Sequence, residues 1–110
     1  MSTISIIQPE ELADKIQSGS KVLLIDVRQP WENEYSRLEG SQLLPLSELA
    51  DRLAEIEATG VESFVVYCHH GIRSLTGAAI LQNAGFAPVF SLQGGIDAWS
   101  KRIDSRIPLY

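Results

Sequence analysis

Phe64-Val65-Val66-Tyr67-Cys68-His69-His70-Gly71-Ile72-Arg73-Ser74 is the stretch whose reading decides the fold. Its first four residues are β-branched or aromatic and read as a buried strand. Gly71 supplies the backbone freedom of a tight turn, and Ser74 opens a helical pattern in Leu75, Ala78, Ala79 and Leu81. Strand, short loop and helix N-terminus thus follow one another, with the single cysteine of the chain, Cys68, beginning the loop. Backbone N–H groups converge in such a loop and the helix dipole adds partial positive charge, so an anion at the Cys68 sulfur is stabilised. A thiolate is such an anion.

Outward from this stretch, apolar β-prone runs alternate with segments of helical period, which predicts an α/β fold with a mainly parallel sheet. Strands are expected at Ile4 to Ile7, Val22 to Ile25 ending at Asp26, Gln42 to Leu44, Ser63 to Tyr67 and Val89 to Leu92. A first helix starts near Pro9, with Glu10 and Glu11 in its first turn and Gly19 closing it. A short helical piece follows Gln29-Pro30 from Trp31 to Tyr35. Ser47 is read as the cap of a helix carrying Leu49, Leu53 and Ile56 on one face, with Gly60 past its end. The helix after the cysteine loop runs from Ser74 to about Asn83, and Gly94-Gly95 turns the chain into a last helix with Ala98 and Trp99. Ligands of open α/β sheets sit beyond the carboxyl ends of the strands, where Asp26, Cys68 and Gln93 all fall.

With 110 residues the chain is read as a single domain over 1–110, and 45% hydrophobic with 21% charged residues suits a globular protein. A net charge of -5, with nine scattered Lys and Arg, excludes a general nucleic-acid binder. No apolar stretch approaches the roughly 20 residues of a membrane span. A lone cysteine forms no internal disulfide, and Met1 to Gln8 lack the basic segment and apolar run of a signal peptide. The expected location is therefore cytoplasmic, where a free thiol persists, and the expected state is a monomer.

Several motifs, in order and spacing over nearly the whole chain, resemble the rhodanese-like domain family. They are Leu24-Ile25-Asp26-Val27-Arg28 with Pro30 and Glu34-Tyr35, Gly40-Ser41 before Leu44-Pro45-Leu46, and Val66-Tyr67-Cys68 with Gly71, Arg73 and Ser74. Ala78-Ala79 with Leu81, Gly85-Phe86, and Leu92-Gln93-Gly94-Gly95-Ile96-Asp97-Ala98-Trp99 complete the set. The resemblance implies the three-layer rhodanese-like fold, with a central sheet flanked by helices. It also implies a catalytic Cys68 that carries sulfane sulfur as a persulfide, without metal or cofactor. Its partners would be a small anionic donor such as thiosulfate and an acceptor that is cyanide, a thiol or a carrier protein. Where many members have a Gly-His pair and Ile before a Pro-Gly-Ala turn, this chain has Ser36-Arg37-Leu38-Glu39-Gly40-Ser41. The end of the chain, from Trp99 through Asp104 and Pro108 to Tyr110, is similar to the rhodanese domains of molybdopterin-synthase sulfurylases, which pass sulfur toward a small ubiquitin-like carrier.

Each candidate has a plainer reading. A lone cysteine is commonly a buried apolar residue; its place between strand and helix start favours a reactive thiolate. Arg73 is either a solvated loop residue or a guanidinium fork for the sulfonate of the donor. Gly71, Ile72 and Ser74 offer loop N–H groups. His69 and His70 fall short of the four ligands of a structural zinc, and are expected to turn their side chains outward while contributing backbone N–H groups. Asp26 and Arg28 are read as a structural ion pair, with Glu34 or Glu39 as further partners of the arginine. Gly94 and Gly95 are turn residues allowing close approach under the cysteine loop.

Two competing functions are weighed against sulfur transfer. Cysteine phosphatases and arsenate reductases place arginine six positions after the cysteine, whereas only four residues separate Cys68 from Arg73 and Ser74 holds the sixth position. The shorter loop fits one sulfur atom better than a phosphoryl group. A non-enzymatic binding or redox-sensing module is the alternative that the presence of the cysteine leaves open.

Overall fold

The computed structural model describes residues 3–110; Met1 and Ser2, which the expectation of a domain over 1–110 includes, lie outside them. Five parallel strands, β1 (Ser5–Ile7), β2 (Val22–Asp26), β3 (Gln42–Leu43), β4 (Ser63–Tyr67) and β5 (Val89–Leu92), form one sheet in the order β1-β5-β4-β2-β3. The helices are α1 (Pro9–Gln17), α2 (Pro30–Tyr35), α3 (Leu46–Leu49), α4 (Arg73–Asn83) and α5 (Gly95–Arg102). The α/β reading and the sheet flanked by helices hold.

Alternation along β4 sorts the core into two layers, because successive side chains leave opposite faces of a strand. Phe64 and Val66 pack with Ile25, Leu49, Ala78 and Leu81 on the face covered by α3 and α4. Val65 and Tyr67 pack with Leu12, Leu24 and Ile96 on the face covered by α1 and α5. Cys68 continues the first set, so its side chain enters the α4 side and is only 1% exposed. At Gly77 a Cβ would sit 3.0 Å from Val66 Cγ1 and 3.1 Å from Val27 Cγ1, which shows how closely α4 lies on the sheet.

The helix expected from Ser47 through Ile56 is not continuous. Pro45 rather than Ser47 occupies its cap position, α3 ends at Leu49, and a 3-10 turn at Leu53–Glu55 follows. Arg52 explains the break: its backbone leaves the helical region at φ -117, and its guanidinium grips Glu48 on one side and Glu55 on the other. The i to i+3 bonds of this stretch rise about 2.0 Å per residue against 1.5 Å in an α-helix, which carries Leu49 and Ile56 to separate places in the same core layer. Among the described residues, no helix is long and apolar enough to cross a membrane.

Candidate active site

The loops after β2, β4 and β5 meet at one end of the sheet because these strands are neighbours, with β4 in the middle. Two groups of the next helix turn shape the cysteine loop from below. The N–H groups of Ile96 and Asp97, at the start of α5, donate to the carbonyls of Cys68 at 2.9 Å and His69 at 3.1 Å. A trans peptide sets its C=O and N–H on opposite sides, so tying these carbonyls to α5 turns the N–H groups of His69 and His70 the other way.

That packing requires glycine at Gly95, where φ is +62 and a Cβ would meet the His69 oxygen at 2.4 Å and the Cys68 oxygen at 2.5 Å. Gly71, at φ +97, lies against the backbone of Gly94. The close approach expected of Gly94 and Gly95 under the loop is thus present.

Around the Cys68 sulfur, the Gly71 N–H lies at 3.1 Å and the Ser74 N–H at 3.3 Å, and the Ser74 hydroxyl at 3.5 Å. Helix α4 begins at Arg73, one residue before the expected start, with Ile72 as its cap. Two orphan N–H groups, one hydroxyl and the positive end of α4 therefore converge on one buried sulfur. Ile72 has its side chain in solvent, 74% exposed.

Arg73 directs both terminal nitrogens of its fork to a carboxylate that the sequence reading did not single out, Glu32 of α2, at 2.7 and 2.9 Å. Glu32 is 4% exposed and also accepts from the Gln29 N–H and the Tyr110 hydroxyl. Burial alone would raise its pKa, but the bonds from Arg73, Gln29 and Tyr110 outweigh it and hold it at about 2. The capping-box spacing Gln29 to Glu32 was visible in the sequence; its partner 41 residues away was not.

Asp26 and Arg28 are fully buried and form the expected ion pair at 2.7 Å. Neither Glu34 nor Glu39 joins it. Arg28 Nη1 instead donates to the Tyr110 hydroxyl at 2.7 Å and Nη2 to the Ser36 carbonyl, while Asn33 donates to Asp26 at 2.9 Å. The return of the chain end across α2 supplies these partners: the Ser36 hydroxyl donates to the Pro108 carbonyl at 2.8 Å. Removing one member of such a pair leaves a buried charge uncompensated, a cost of about 3 to 5 kcal/mol.

Tyr110 also corrects the expectation for the histidines. His70 is exposed, but the His69 ring stacks on Tyr110 at 3.8 Å between centroids, with His70 at 3.9 Å on it. Burial, then the neighbouring His70, lowers the His69 pKa. His69, His70 and Asp97 bring ligand atoms within 4.8 Å of one another. The Lys101 ammonium sits 3.0 Å from the same Asp97 carboxylate and neutralises part of its charge.

A groove of about 840 Å³ lies elsewhere, between Tyr35, Leu38, Trp99 and Ile107, and none of the cysteine-loop residues lines it.

The model of the Rhodanese-like domain family matches residues 8–102. The chain is 38% identical over 106 residues to a probable adenylyltransferase/sulfurtransferase MoeZ of Mycobacterium tuberculosis, covering 96% of this chain but only 27% of that protein. It is 35% identical to a thiosulfate sulfurtransferase GlpE of Pseudomonas fluorescens, over 90% of this chain and 87% of that one. A rhodanese-related protein from Thermoplasma volcanium superposes with a TM-score of 0.79 at 26% identity, covering 90% and 93% of the two chains. A match of this extent to the family model, together with the parallel sheet and the cysteine loop at the end of its middle strand, makes the chain a member of the rhodanese-like domain family.

Proposed function

We propose that the protein is a sulfurtransferase that takes a sulfane sulfur from thiosulfate, or a related small anionic donor, onto Cys68 and passes it to a thiophilic acceptor. The observation that carries this reading is the convergence of the Gly71 and Ser74 N–H groups on one buried sulfur, with the Ser74 hydroxyl 3.5 Å away and able to donate once the sulfur is a thiolate. Such donors stabilise negative charge without rearranging during the reaction. The relatives named as sulfurtransferases support it.

In the loading step the Cys68 thiolate attacks the outer sulfur of thiosulfate. A bond forms between the two sulfurs, the bond to the sulfonate sulfur breaks, and its electron pair leaves with sulfite. In the unloading step an acceptor such as cyanide attacks the outer sulfur of the persulfide, and Cys68 departs as thiolate. No proton moves in either step when thiolate and cyanide anion react. The N–H groups of His70, Ile72 and Arg73 take part in none of the hydrogen bonds of the described residues, and we assign them to the outer sulfur. Arg73, its fork held by Glu32, acts as a fixed charge beside the loop; the acceptor is cyanide, a thiol or a carrier protein.

Incubation with thiosulfate should add one sulfur atom to the intact mass, and further addition of cyanide should release thiocyanate. Cys68→Ala should abolish both. A wild-type protein that gains no sulfur from thiosulfate, mercaptopyruvate or a persulfide-bearing protein would overturn the reading in favour of a binding or redox-sensing module.

A further inference from the structure

Beneath the cysteine sulfur lies a second hydroxyl that the steps above do not use. Ser91 stands in β5 opposite Val66 of β4, the single polar residue in Val89-Phe90-Ser91-Leu92. The alternation of the strand turns it to the same side of the sheet as Val66 and Cys68. It is 1% exposed, and its Oγ lies 2.7 Å from the Oγ of Ser74, itself fully buried. Ser74 Oγ in turn lies 3.5 Å from Cys68 Sγ. The three groups form a short buried chain from the middle of β5 to the reacting atom.

Counting protons gives the chain a direction. A thiolate has no proton and only accepts, so Ser74 must turn its single proton toward Sγ. The Ser74 oxygen is then free to accept, and the Ser91 hydroxyl is its partner. Hydrogen bonds aligned head to tail strengthen one another in a low-dielectric interior. We propose that Ser91 is a positioning residue that donates to Ser74 and thereby holds the Ser74 proton on the anionic Cys68 sulfur.

The inference rests on the sulfur-transfer reading, and it divides the two half-reactions. In the persulfide the charge resides on the outer sulfur, and it returns to Sγ only as an acceptor takes that sulfur away. The hydroxyl chain therefore stabilises the departing thiolate, a gain realised in the transition state of unloading. In loading the charge leaves Sγ, so the same contact gives no acceleration.

The test uses Ser91→Ala, which removes the hydroxyl with little change of volume, and Ser91→Thr, which restores it. Protein loaded with thiosulfate and freed of donor is mixed with cyanide, and thiocyanate release is followed in a single turnover. Ser91→Ala should slow release about three- to tenfold, the worth of one net hydrogen bond, with loading little changed at a pH above the alkylation midpoints of both proteins, and Ser91→Thr should recover the rate. Unchanged release, or equal slowing of both half-reactions, overturns the proposal. Alkylation of unloaded Cys68 by iodoacetamide across pH gives an arm independent of sulfur transfer. The profile of Ser91→Ala should move to higher pH, and an unmoved profile overturns the proposal whether or not the protein accepts sulfur. A wild type that fails to load while the alkylation profile still moves would refute the sulfurtransferase reading and leave the role of Ser91 standing.

Discussion

Glu32 shows how one side chain changes the meaning of another. With Arg73 alone the loop offers an open fork to a sulfonate; with Glu32 both terminal nitrogens are already engaged. What remains for Arg73 is its charge, held in place beside the loop, so Arg73→Ala should raise KM for thiosulfate several-fold while sulfur removal from a preformed persulfide changes less; equal losses would assign the arginine to loop shape alone. The acid stability of the fold should also report on this pair. The Glu32 pKa falls from an ordinary 4.5 to about 2 on folding, so its contribution is complete above pH 4.5 and lost as pH falls toward 2. The direction follows from linkage: the unfolded state binds the extra proton first. With Arg73 36% exposed and partly screened, the contribution is about 2 kcal/mol. Urea midpoints from pH 7 to pH 2 should fall less steeply for Glu32→Gln than for wild type.

At the scale of elements, the start of α5 acts on the cysteine loop through backbone alone. Its N–H groups hold the carbonyls of Cys68 and His69, and the contact is close enough that only glycine fits at position 95. Gly95→Ala forces a Cβ into both carbonyls at a positive φ, and should cost about 2 to 4 kcal/mol from overpacking and backbone strain together. Thermal unfolding should show the loss. Alkylation of Cys68 in the folded variant should differ from wild type, because the loop moves with the carbonyls; an unaltered rate would show that the sulfur is held independently of α5.

Over the whole molecule, Tyr110 ties together parts of the chain far apart in sequence. Its hydroxyl accepts from Arg28 and donates to Glu32, both at 2.7 Å, and its ring stacks on His69. Burial first, with the bond to Glu32 adding, raises its pKa from 10.0 to about 12 against the opposing bond from Arg28. A raised folded value means that its contribution is complete below pH 10 and lost as pH climbs toward 12. Tyr110→Phe should lose about 1 to 2 kcal/mol at neutral pH, and chemical denaturation between pH 10 and 12 should show a shallower fall than in wild type.

The sequence alone determined the α/β class, the mainly parallel sheet and the place of Cys68, because each is written in local patterns: apolar β-prone runs alternating with helical segments, turn glycines and the spacing of apolar residues. It also marked the turn at Gly94-Gly95 and the pairing of Asp26 with Arg28, which lie two residues apart. Tertiary structure decided what those groups touch. Arg52 broke the expected helix after Leu49, Tyr110 and Ser36 took the place expected of Glu34 and Glu39 beside Arg28, and Ser91 came to lie behind Ser74. The contacts of Tyr110 and Ser91 join residues whose approach depends on strand order and on the path of the chain end, while that of Arg52 is a local choice of partners; apolar periodicity carries no record of either.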